Sequence, residues 1–127
     1  MKRWLLGTLM LIAGLAQAQT DIAAKVNEAI KHSDGVALAK LMQAQVEVSI
    51  EDFEGAITRE EAQKRLVTFF NAHPVSNYSP KHNGTSKMGD QYYIGDMKSG
   101  DQLFRVTVFV KKTKDGTRVS QLRIEES

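Results

Sequence analysis

The chain has no cysteine, two prolines and one tryptophan in 127 residues. Without a sulfur there is no disulfide framework, no thiolate zinc site, no cysteine nucleophile and no acylated lipoprotein anchor. Core packing must hold the fold. Neither sign of charge dominates, with 17 basic side chains against 15 acidic ones, and two of the basic residues, Lys2 and Arg3, lie in a segment whose pattern marks it for removal. A nucleic-acid partner is not expected, because neutralising phosphates takes an excess of Lys and Arg. Membrane-length apolar runs are missing as well. The run from Trp4 to Leu15 covers about 12 residues where a helix needs about 20 to span a bilayer, so no membrane span is expected after that segment is cleaved. Absent too are the G-x-S-x-G elbow, the Walker glycine loop and the dinucleotide fingerprint. The three histidines, His32, His73 and His82, have no second ligand at a metal-binding spacing. No metal and no cofactor is expected.

What is present begins with an address. Lys2-Arg3, the apolar run and Ala16-Gln17-Ala18 before Gln19 form the three parts of a secretory signal peptide, with cleavage between Ala18 and Gln19. Removing the first 18 of 127 residues leaves 109, carrying 15 basic and 15 acidic side chains. The expected organisation is a signal peptide over 1–18 and one domain over 19–127, exported to the periplasm or the medium and not lipid-anchored. Trp4 leaves with the signal.

Asp21 to Lys31 places Ile22, Val26, Ala29 and Ile30 at helical spacing, with Thr20 or Asp21 as cap. Ser33-Asp34-Gly35 breaks that helix, and a second is expected over Val36 to Gln43, capped by Asp34, with Leu38, Leu41 and Met42 on one side. From Val46 to Phe53 the pattern alternates, which predicts a half-buried strand with Val46, Val48 and Ile50 inward. The acidic residues Glu51, Asp52 and Glu54 then fall in a loop. Thr58-Arg59-Glu60-Glu61 reads as a capping box that opens a third helix over Arg59 to Asn71. Its apolar stripe is Ala62, Leu66, Phe69 and Phe70, and Pro74 ends it.

Four strands are expected after Pro74: Tyr78 to Thr85, Gln91 to Lys98, Leu103 to Lys112 and Arg118 to Glu125. Pro80 assigns the first to an edge or a bulge. Asn83-Gly84 and Lys87-Met88-Gly89-Asp90 compete for the first turn. A bulged three-residue loop, Lys114-Asp115-Gly116, would pair Val110 with Ser120, Val108 with Leu122 and Val106 with Ile124. That register gathers Phe104, Val106, Val108, Val110, Leu122 and Ile124 on one apolar face. The other face is then polar except for Phe109 and Tyr93.

The order helix, helix, strand, helix, four strands resembles the nuclear-transport-factor-2-like fold, a cystatin-like α+β cone in which three helices pack on a curved, mostly antiparallel sheet. Phe69-Phe70 before a proline, Tyr93-Ile94-Gly95, Phe104-Arg105-Val106 and Gln121-Leu122-Arg123-Ile124-Glu125 also resemble an uncharacterised family of short exported bacterial proteins, a domain of unknown function. The resemblance spans the whole mature chain and implies the fold. It brings no activity with it.

Three roles remain open at this point. The first is a noncatalytic domain that binds a small apolar or amphiphilic ligand inside the cone, lined by Tyr92, Asp96 and Phe70. The second is a small enzyme of the same fold, using Asp96 and Tyr92 as an in-pocket pair for proton transfer. The third is an interaction module, a homodimer or a protein complex formed through the sheet face by Tyr93, Arg105 and Phe109. Ordinary structural roles compete with each: Tyr92 as core filler, Asp96 on the sheet rim, His32 and His73 as helix-end caps.

Overall fold

The computed structural model describes residues 21–127. The signal segment, with its cleavage point at Ala18 and Gln19, lies outside the described residues. Helix α1 runs over residues 21–31 and buries Ile22, Val26, Ala29 and Ile30, the expected stripe. Helix α2, Gly35–Lys40, starts at Asp34, whose carboxylate accepts from the Ala37 amide at 2.9 Å. Gly35 buries its Cα against helix α3, Arg59–Ala72, so closely that a Cβ would stand 2.8 Å from the Val67 nitrogen. Only glycine fits there. The Thr58 hydroxyl accepts from the Glu61 amide at 3.2 Å, the hydroxyl half of the capping box, and α3 buries Ala62, Leu66, Phe69 and Phe70.

The second helix stops three residues earlier than its apolar pattern suggests. Long-range bonds end it: the Arg118 guanidinium donates to the Lys40 carbonyl at 2.8 Å, and the Val119 amide to the Leu41 carbonyl at 2.8 Å. Met42 is thereby drawn into strand β1, Met42–Ile50. Strand β2, Phe53–Thr58, occupies the stretch expected to be a loop. It returns antiparallel on β1 with Ile50 opposite Phe53, Val48 opposite Gly55 and Val46 opposite Ile57. The sequence FEGAIT does alternate, but with Gly55 at the central inward position it lacks the apolar signature of a strand.

Strands β3, Asn77–Thr85, β4, Gln91–Ser99, β5, Gln102–Thr113, and β6, Gly116–Glu126, complete one sheet of order β2-β1-β6-β5-β4-β3. β1 and β6 are parallel and the other neighbours are antiparallel. Pro80 does lie on an edge strand beside a register shift, where its missing N–H leaves no interior ladder bond unmade. The first turn forms at residues 86–90, with the Ser86 amide donating to the Asp90 carbonyl, and β3 continues straight through Asn83-Gly84. In the last hairpin Val108 faces Leu122 and Val106 faces Ile124 as expected, but Val110 faces Val119 and Thr113 faces Gly116. The loop is the two residues Lys114-Asp115. The extra residue is Ser120, whose hydroxyl donates to the Phe109 carbonyl at 3.2 Å.

The α+β architecture is therefore the expected one with a strand added, in the order α-α-β-β-α-β-β-β-β. The helices cover one face of the sheet, and the core lies between them and Val46, Val48, Met97, Phe104, Val106, Val108 and Leu122. The opposite face carries no helix.

Candidate functional site

Strand β4 decides where the candidate residues point. Ser99 pairs with Gln102 across a two-residue turn, which sets Met97 opposite Phe104, Gly95 opposite Val106 and Tyr93 opposite Val108. Residues directly opposite one another share a face. Gly95, Met97 and Tyr93 thus join the core face, while Tyr92, Ile94 and Asp96 stand on the helix-free face. This reverses the expected placement. Placing Tyr92 and Asp96 inside requires a ladder shifted by one residue from the observed Ile94–Thr107 pairing, and such a slip exchanges every side chain between faces.

On the core face, where the sequence places a ligand, the described side chains pack on one another. Phe70 is a core residue, edge-on to Phe69 at 5.7 Å between ring centroids, and Phe69 stands edge-on to Phe104 at 5.4 Å. Tyr78 lays its ring over Gly95, close enough that a Cβ there would collide with the phenol. Burial, with a smaller contribution from the Asp96 carboxylate, pushes the Tyr78 hydroxyl up to about 12. Tyr93 is half-buried against the core and donates to the Gln91 side-chain oxygen at 3.3 Å; burial raises its pKa above the ordinary value.

Tyr92 and Asp96 do share the outer face, but they do not form a pocket. Four residues apart on one strand, they are separated by about 13 Å. Tyr92 lies opposite Phe109, and Asp96, exposed, lies opposite Arg105. A paired general acid and base must reach one substrate at the same time, which two side chains about 13 Å apart on an open face do not favour.

The outer face instead gathers an aromatic row. His82, Tyr92 and Phe109 stand side by side on β3, β4 and β5, with centroids 5.8 Å and 5.7 Å apart. The Tyr92 hydroxyl and His82 Nε2 are 3.4 Å apart. Two shallow cavities of about 280 and 240 Å³ continue the row across β6, β1 and β2, sharing Gln121, Glu47 and Ala56. Charges of both signs surround it: Asp96 and Arg105, then Arg123 paired with Glu125 at 3.4 Å. Of the three expected interface residues, Arg105 and Phe109 are on this face, and Tyr92 takes the place assigned to Tyr93.

A second cluster escaped the sequence reading. His73, at the C-cap of α3, places Nε2 3.0 Å from Glu51 and Nδ1 3.0 Å from the Gln102 side-chain oxygen. Its ring packs on Phe69 and Phe104 at 4.9 and 5.2 Å. The imidazole therefore ties the end of α3 to the β1–β2 turn and to the start of β5. Its partners are 22 and 29 residues away in sequence, so no local pattern announces them.

The sequence profile of DUF4783, a domain of unknown function, matches residues 23–125. No curated protein matches the chain by sequence. Among solved structures, a DUF4783 family protein from Bacteroides ovatus is 25% identical with a TM-score of 0.74, over 82% of this chain and 94% of that one. A nuclear-transport-factor-2-like protein of unknown function from Shewanella baltica is 11% identical with a TM-score of 0.65, over 91% and 95%. A protein provisionally assigned as a ketosteroid isomerase, from Shewanella frigidimarina, is 15% identical with a TM-score of 0.63, over 85% and 94%. The latter two likenesses concern the fold.

Proposed function

We propose that this chain, which belongs to the DUF4783 family and has its nuclear-transport-factor-2-like fold, is an exported binding module that works through the outer face of its sheet, with a second copy of itself as the partner. The observation that carries the reading is the His82–Tyr92–Phe109 row, half-exposed or exposed on the face that no helix covers. Aromatic rows rimmed by charge are typical of surfaces that become buried. The rim suits a two-fold partner, because Arg105 and Arg123 lie on the same face as Asp96, Glu125 and Glu47. An isologous interface presents one patch to itself, so it needs both signs within that patch. Export rests on the Lys2-Arg3 start, the apolar run and Ala16-Gln17-Ala18. Among the described residues no helix is long and apolar enough to cross a membrane.

The sheet face is preferred over a ligand site on the core face because Phe70, Tyr78 and Met97 are buried there. The isomerase provisionally assigned to the Shewanella frigidimarina protein finds no support in the expected pair here, since Tyr92 and Asp96 are apart and face water. Sedimentation of the wild type and of Phe109→Glu tests the proposal. Wild type should sediment as a dimer and the variant as a folded monomer, since Phe109 lies outside the core. A wild type that stays monomeric at 100 μM, or a variant that remains dimeric, would overturn it.

A further inference from the structure

On the helix side of the sheet, where α3 passes the β1–β2 hairpin, lies a groove of about 270 Å³. Its floor is Ile50, Phe53 and Phe69, two core residues and a half-buried ring packed against the core. Lys64 and Arg65 stand along its rim. The Arg65 guanidinium carbon sits 3.5 Å from the centre of the Phe53 ring, which fixes the cation directly above the apolar floor. Among the described residues neither Lys64 nor Arg65 has a carboxylate within ion-pair distance. The acid that lines the groove, Glu51, is held by His73 at 3.0 Å, which turns its charge toward the imidazole.

We infer that this groove binds a small monoanionic amphiphile, a carboxylate on an apolar body. The inference is independent of the sheet face. Each half of such a ligand has its counterpart: the guanidinium presents two parallel N–H donors to a carboxylate, and the ammonium of Lys64 adds a second positive charge one residue away. The apolar body covers the half-exposed Phe53 ring and the exposed Thr68 and Ala72 beside it, above the already buried Ile50 and Phe69, a gain proportional to the area covered. A neutral analogue keeps only the second gain. A cation of the same length meets two like charges. The volume sets the size, since at about 30 Å³ for a water-sized group the groove holds on the order of ten heavy atoms, an eight-carbon acid.

Octanoate is therefore the probe, followed by amide chemical shifts of the full domain. Saturable shifts are expected in residues 50–53 and 64–72. 1-Octanol should bind about threefold more weakly or worse, the discrimination an exposed ion pair supplies. Arg65→Gln and Lys64→Gln, both at exposed helical positions that keep helix propensity, should each lower octanoate affinity severalfold, with free-protein shift changes confined to the neighbourhood of the substituted residue, including Phe53 for Arg65. Lys114→Gln, at the hairpin tip, should leave affinity unchanged. No saturable shift at 5 mM octanoate, shifts confined to other surfaces, equal affinity for 1-octanol, or undiminished binding in the Arg65→Gln, Lys64→Gln double variant would each overturn the inference.

Discussion

The phenol ring of Tyr78 on β3 occupies the space that a side chain at position 95 on β4 would take. A glycine in the middle of a strand leaves a hole, and this hole is closed by an aromatic ring from the next strand. Gly95→Ala should therefore cost about 1–3 kcal/mol in urea denaturation, the usual range for an overpacked core. Tyr78→Ala combined with Gly95→Ala should cost less than the sum of the two single changes. Additive costs would show that the two positions do not share that space.

Tyr78 also predicts an alkaline limit to stability. Its folded pKa, raised to about 12 by burial and then by Asp96, exceeds the unfolded value near 10, so the folded state holds this proton more tightly. The contribution is complete below about pH 10 and is lost as pH rises from about 10 to about 12. Denaturation midpoints across that window should fall, and Tyr78→Phe should flatten the fall. An equally steep fall in the variant would assign it to other groups.

The His73 bridge makes a third prediction. His73→Ala removes two hydrogen bonds and the ring contacts with Phe69 and Phe104, and should lower stability by about 1–3 kcal/mol. Glu51→Gln keeps a hydrogen-bonding partner and should cost about 1 kcal/mol or less. Equal costs would mean that the carboxylate charge of Glu51, rather than the ring packing, carries the stabilisation.

Processing is checked by optics and mass. Trp4 is the one tryptophan of the chain, so protein recovered from the envelope of its host should begin at Gln19 and show tyrosine emission alone. Tryptophan emission from that material would contradict cleavage after Ala18.

Much of this architecture is written in local pattern. The stripes of α1 and α3, the Asp34 and Thr58 caps, the edge position of Pro80 and the Val106–Ile124 pairing all follow from spacing or from single-residue chemistry. What was hidden depends on distant partners. The end of α2 is fixed by Arg118 and Val119, and β2 is held by β1 although Gly55 sits where an apolar residue would signal a strand. The sequence leaves the candidate site one step of register from its observed place, because Tyr92-Tyr93-Ile94-Gly95-Asp96-Met97 offers two apolar side chains to either face. Two signals could have chosen: the tight turn at Gly100-Asp101, which puts Met97 opposite Phe104, and the exposure that Asp96 demands.

The outer-face dimer is tested most directly by native mass spectrometry of the wild-type protein taken gently from its host's envelope, with a denatured sample as control. A stoichiometric mass of twice the mature chain, collapsing to the single chain in Phe109→Glu, is the predicted result. A bare monomer from the wild type across the micromolar range would contradict the account.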